Sequence, residues 1–121
     1  QGKPKTDMPT LQLTILEEAR NFLESLPGQA RKKMLHNIWR VTEGEKNSEL
    51  FKKLEGSEIW EFRAMSGGMA YRLLSFWDKE ERSLVVATHG FTKKAQKTPK
   101  KEIVRAEAIM RWYYEQKSKN Q

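Results

Sequence analysis

Between Glu58 and His89 the chain alternates apolar and polar residues in three short runs, each closed by a turn signal. Period-two alternation places one set of side chains on a buried sheet face and the other set opposite. In the first run Trp60, Phe62 and Ala64 alternate with Glu61 and Arg63. Ser66-Gly67-Gly68 follows, and glycine accepts the positive φ that a tight hairpin turn requires. The second run is Met69 to Trp77, closed by the charged segment Asp78 to Arg82. The third, Ser83 to His89, is rich in β-branched and small residues and ends at Gly90. Three such runs predict an antiparallel meander.

The flanks obey another period. Leu11, Leu13 and Ile15 alternate with Gln12 and Thr14, as in a short strand. From Leu16 the spacing becomes helical through Ala19, Leu23 and Leu26, with Phe22 beside them. Thr14 and Glu17 stand at capping-box spacing. Pro27-Gly28 breaks this helix, and Ala30, Met34, Ile38 and Val41 mark one face of a second. Glu43 to Ser48 reads as a polar loop and Leu50 to Leu54 as one further turn. Thr98-Pro99 reads as an N-cap followed by proline at the first helical position. Ile103, Ala106, Met110 and Tyr113 then line the apolar face of a last helix. The order β-α-α-β-β-β-α predicts an α+β domain, with one sheet face on the helices and the other open. Residues 1–10 read as a tag remnant and lead-in, 11–117 as a single domain, and 118–121 as a polar tail that frays.

Composition limits the chemistry. The 121 residues contain no Cys, which excludes a disulfide framework and a thiolate zinc site and fits a reducing cytoplasm. Neither His36 nor His89 sits in a motif with metal-ligand spacing, so no metal or cofactor is expected. No stretch approaches the roughly 20 apolar residues that span a bilayer. The net charge of +7 favours a polyanionic partner, although a generally basic surface would give the same value.

Turn lengths set a register. If Gly67-Gly68 are the central turn residues, Arg63 faces Arg72. If the second turn is Lys79 to Arg82, Arg72 faces His89, and the three form one row on one face, with Trp60, Phe62, Tyr71, Leu73 and Trp77 on the opposite, core face. Like charges opposite each other repel, and a bound phosphate would reverse that. A one-residue change in either turn breaks the row. Singly, Arg63 and Arg72 are more often solvated strand residues or partners of a nearby Glu, and His89 reads as a hydrogen-bonded surface group at a strand end. The lysines that follow, Lys93, Lys94, Lys97, Lys100 and Lys101, continue the row as a candidate phosphate path or form a solvated loop. Arginine suits phosphate because its fork binds two oxygens, lysine supplies a point charge, and histidine titrates near neutrality.

Three segments carry a resemblance: Glu58-Ile59-Trp60-Glu61-Phe62-Arg63, Tyr71-Arg72-Leu73-Leu74-Ser75-Phe76-Trp77 and Ala87-Thr88-His89-Gly90-Phe91-Thr92-Lys93-Lys94. With Gln96 to Ile103 after them, they resemble the RelE/ParE toxins of type II toxin-antitoxin systems, in the phage-derived, HigB-like branch. The match spans nearly all of residues 11 to 115 and is generic in the helical hairpin. It implies a RelE-like fold: an antiparallel meander sheet packed on an N-terminal helical hairpin, with a C-terminal helix. It also implies a metal-independent endoribonuclease that cuts mRNA on the ribosome. The partner would be a cognate antitoxin, often a helix-turn-helix protein that represses the shared operon. By position, Arg72 matches the family's arginine on the middle meander strand and Arg63 a basic residue on the strand before it. His89 and Lys93-Lys94 match the functional end of the last strand and its loop. One departure stands out. Some relatives end in a short stretch bearing a catalytic Tyr or His, whereas Tyr113 and Tyr114 lie in a long final helix, so the general base stays unassigned. A ParE-like toxin that binds DNA gyrase without catalysis, and a degenerate relative without activity, are the alternatives.

Overall fold

A computed structural model describes residues 10–93 and 97–120. Its elements are β1 (Gln12–Ile15), α1 (Glu17–Ser25), α2 (Gly28–Thr42), β2 (Phe51–Lys53), β3 (Trp60–Ser66), β4 (Met69–Trp77), β5 (Leu84–Lys93) and α3 (Lys100–Lys119). The strands form one sheet in the order β1-β5-β4-β3-β2. β3, β4 and β5 are the expected antiparallel meander, and β1 pairs parallel to β5. The residues expected as one further turn at 50–54 contain β2 instead. Phe51 pairs with Phe62 and stacks on its ring, so contact with β3 selects the strand.

Each face of the sheet follows from its alternation. Phe62, Tyr71 and Leu73 point to one side, where Ala19 and Leu23 of α1 and Ala30, Met34 and Ile38 of α2 cover them. Trp60 and Trp77 lie at the margin of this cluster, as the sequence predicts for that face. Leu74, Phe76 and Val86 point to the other side, which was expected to be open. There Ile103, Ala106, Met110, Tyr113 and Tyr114 of α3 build a second core. The apolar face of α3 has to be buried somewhere, and the open sheet face is the surface that accepts it.

Other local expectations yield to tertiary contacts. Gly90 does not end the meander. β5 continues to Lys93, and a Cβ at Gly90 would meet the Phe22 ring at 2.2 Å, so glycine is what lets α1 approach. Neither expected cap forms: α1 starts after Leu16 with no side-chain cap, and Thr98 bonds elsewhere. The expected boundary at 117 is passed, because Lys117 is ion-paired to Asp78 at 2.9 Å and α3 runs on to Lys119.

Asp78 ties the β4–β5 turn to α3. Its carboxylate accepts from Tyr113 Oη at 2.6 Å, Lys117 Nζ at 2.9 Å, and the backbone N–H groups of Glu80 and Glu81. Burial alone would raise its pKa, but these bonds overcome it and hold the group at about 2, against an ordinary 3.8. A carboxylate with a depressed pKa stabilises the fold above its ordinary pKa and loses that contribution as pH falls toward 2. Asp78→Asn should therefore lower stability at neutral pH by about 2 kcal/mol and flatten the acid limb of a urea-unfolding series. Gly90→Ala should destabilise by about 1–3 kcal/mol through overpacking against Phe22, read in the same assay.

Candidate nucleic-acid site

The β3–β4 hairpin keeps the register set by its glycine turn. Gly67 and Gly68 have φ of 57° and 78°, and Arg63 faces Arg72. The second junction differs from the expected four-residue turn. Trp77 pairs with Val85, an offset of one residue, and a bulge between Leu74 and Ser75 adds another. Thr88 is the extra residue, and its hydroxyl donates to Leu74 O at 3.2 Å. The first offset reverses the faces of residues 84–87 and the second restores the expected face from His89 onward, but the row slides along β5. Arg72 thus stands opposite Phe91, while His89 stands opposite Leu74. The predicted row of Arg63, Arg72 and His89 is broken as a row and kept as a shared face.

Arg72 is 1% exposed, on the central strand of the sheet. A charge in that position needs a counter-charge, since water cannot solvate it. Glu61 supplies one: its Oε2 lies 3.5 Å from Arg72 Nε and 3.4 Å from Arg63 Nε. Its Oε1 accepts the Thr98 hydroxyl at 2.5 Å. These ion pairs compensate charge without forming hydrogen bonds to either Nε, so both Nε atoms are buried donors without an acceptor among the described residues. Lys93 Nζ is a third such donor. Burial holds the Lys93 ammonium pKa below its ordinary range, and the Arg72 charge lowers it further. Burial likewise lowers that of Arg72 against the pull of Glu61, and the guanidinium stays charged. Two arginines thus pair with one carboxylate, Lys93 adds a third positive charge within its electrostatic reach, and three buried donor atoms are left over among the described residues. An oxyanion placed among them would satisfy both the charge and the donors.

His89 is not part of this cluster. Its ring is 1% exposed beneath α3, and both nitrogens are engaged. Nε2 lies 2.9 Å from Glu102 Oε1, which as a carboxylate can only accept, and Nδ1 lies 3.2 Å from Thr88 Oγ1. Lys97, Lys100 and Lys101 are exposed at the approach to α3 and on its first turn. Lys97 and Lys100 line a separate cavity with Glu55 and Glu107. Lys94 lies outside the described residues. Tyr113 and Tyr114 pack on Phe76, and their hydroxyls bond at the β4–β5 turn, to Asp78 and to Trp77 O and Lys79 N–H. Among the described residues no group of His, Asp and Glu converges as a metal-ligand set. No helix among them is long and apolar enough to cross a membrane.

Glu61 carries no role in the sequence beyond its place in the alternation, which puts it on the face of Arg63 two residues away. The cavity beside the cluster, about 490 Å³, adds Lys33, Asn37 and Arg40 from α2, which no motif marks.

A profile of the family described as phage-derived protein Gp49-like (DUF891) matches residues 21–111. The chain belongs to the phage-derived Gp49-like family. No curated protein matches it. Among solved structures it is similar to a mutant E. coli toxin RelE in the free state, at 20% identity and a TM-score of 0.54, over 72% of this chain and 85% of that one. It is similar to a chain of the intact E. coli RelBE toxin-antitoxin complex, at 20% identity and a TM-score of 0.53, over 73% of this chain and 100% of that one. A chain of the RelBE2 toxin-antitoxin complex from Mycobacterium tuberculosis matches at 22% identity and a TM-score of 0.51, over 73% and 97%. At these identities the likeness establishes the fold, so this Gp49-like chain has the RelE fold.

In this Gp49-like protein His89 links sheet and α3, and its titration is therefore coupled to folding. Burial lowers its pKa from an ordinary 6.5, although the hydrogen bond to Glu102 opposes that. The native state keeps the ring neutral where the unfolded chain takes up a proton, so stability is lost as pH falls below about 6.5. Thermal melts between about pH 5 and 7 should show this slope, and His89→Gln should flatten it.

Proposed function

We propose that this protein is the toxin of a type II toxin-antitoxin pair and a metal-independent endoribonuclease that cuts mRNA on the ribosome. A cognate antitoxin of the helix-turn-helix type silences it in the cytoplasm. The observation that carries this reading is the cluster of Arg63, Arg72 and Lys93 beside the Glu61 carboxylate, in which three buried nitrogen atoms have no acceptor among the described residues. The RelE fold supports it, since similar structures are toxins free and bound to antitoxins.

In-line cleavage needs the ribose 2′-oxygen to attack phosphorus while the bond to the 5′-oxygen breaks. The products are a 2′,3′-cyclic phosphate and a 5′-hydroxyl. Arg63 and Arg72 hold the non-bridging oxygens as their charge grows. Lys93 is the most readily deprotonated cation of the three and donates the proton to the leaving 5′-oxygen. His89 acts at one remove: through Glu102 it positions the start of α3. Lys97, Lys100 and Lys101 lie where an incoming strand would meet positive charge, and Lys94 falls in the same run of sequence. The 2′-hydroxyl proton passes to solvent water as the oxygen attacks, so one proton leaves and one is delivered.

The test is expression without antitoxin, with mRNA 5′ ends mapped by primer extension. Wild type should give new cuts in translated messages. Lys93→Met, which keeps most of the side-chain volume, and Arg72→Lys, which keeps the charge and loses the fork, should each reduce cutting by about 10²–10³-fold. Circular dichroism checks that both variants fold. Growth arrest by wild type without new cuts would defeat the nuclease reading and favour a non-enzymatic target such as gyrase.

A further inference from the structure

The cavity beside Arg63 and Arg72 is not closed at its α2 end. It meets a second cavity of about 640 Å³, and Lys33 and Met65 line both. The second is lined by Lys32, His36 and the Ser66-Gly67 turn, and no acidic residue lines it. A continuous groove therefore runs from the buried cations, between α2 and the outer end of β3, to the β3–β4 turn. It is preformed. Asn37 Nδ2 donates to Arg63 O at 2.9 Å, which fixes α2 against β3 beyond the end of β2.

Two kinds of surface lie along this groove. Lys32 and Lys33 are exposed, and neither has an ion-pair partner among the described residues. Apolar and aromatic surface lies between and beside them. Met65, 50% exposed, and His36 line the groove, and the His36 ring stacks at 5.9 Å and 27° on Trp39, which is 57% exposed just outside that lining. An unpaired nucleic acid strand carries this pairing of features, phosphates at regular intervals and π-faces between them. A duplex hides its base faces, and an acidic peptide would use the lysines and leave the stacked rings without a role.

We propose that the α2–β3 groove binds the nucleotides next to the scissile phosphate as a single strand. Lys32 and Lys33 hold backbone phosphates, and the His36–Trp39 pair with Met65 supplies a stacking platform for a base. This rests on the nuclease reading above and extends its site by the groove's length, which makes α2 a determinant of how much flanking RNA is engaged.

Binding of fluorescein-labelled 2′-O-methyl RNA tests it, because the methyl group blocks cleavage. A dinucleotide and a hexanucleotide are titrated against the whole protein by anisotropy, with folding checked by circular dichroism. Wild type should bind the hexanucleotide at least about tenfold more tightly, as base stacking of this kind implies. Lys32→Ala/His36→Ala should remove that gain and leave dinucleotide binding unchanged. Lys32→Ala alone should lower the salt slope for the hexanucleotide by about 0.7, the single-strand value for one phosphate. His36→Phe should restore the gain, which a merely structural histidine would not predict. An undiminished gain in the double variant would overturn the proposal. So would equal competition at the groove by an acidic peptide of matched charge, which would make it a protein-docking surface. If wild type binds both oligonucleotides equally, the groove alone fails; if it binds neither and cuts nothing, the nuclease reading fails with it.

Discussion

Arg72 is a cation on the central strand of a sheet covered on both faces. Burial without a partner would cost several kcal/mol, so its surroundings must supply negative charge. Glu61 does so from the neighbouring strand, and much else hangs on that carboxylate. It also draws in Arg63, and it accepts the hydroxyl of Thr98, the residue that leads into α3. One acid thereby organises the cationic cluster and places the start of the helix that covers the second sheet face.

The same helix is held along its length by polar contacts of similar design. Glu102 meets His89, Glu107 accepts from Ser57, and Lys117 and Tyr113 meet Asp78. Arg105 pairs with Glu18 of α1 at the sheet's edge. Between them lies an apolar stripe from Ile103 to Tyr114. The stripe supplies the burial, while the polar contacts specify where along the sheet the helix rests. Hydrophobic contact is non-directional and would tolerate sliding, whereas a carboxylate at hydrogen-bond distance would not.

Charge is distributed unevenly by this arrangement. At the α3-covered end, Asp78 and Glu102 are satisfied by their partners. At the other end, Arg63 and Arg72 share one carboxylate with Lys93 nearby, and the three keep buried donor atoms without acceptors among the described residues. Native structures rarely leave buried donors unsatisfied, so this end of the sheet stands apart from the rest of the molecule. The α2–β3 groove opens from that end of the sheet.

Much of this protein was legible in local pattern. The hairpin helices, the meander, the Gly67-Gly68 turn, the inward set Phe62, Tyr71 and Leu73, and the pairing of Arg63 with Arg72 follow from periods of 3.6 and 2 and from turn stereochemistry. These are properties of neighbouring residues, so the sequence by itself determined them. The tertiary structure decided what depends on residues far apart. β2 exists because Phe51 finds Phe62, since three residues are too few to show a period. β1 pairs parallel to β5, the Thr88 bulge moves His89 away from Arg72, and α3 closes the face expected to be open. Gly90, which reads as a stop, is a point of close approach for Phe22. Glu61 shows only an acid in a strand until folding places two arginines beside it. Periodicity names the face a side chain takes, but only the packed chain determines which charges meet there and which donors remain free.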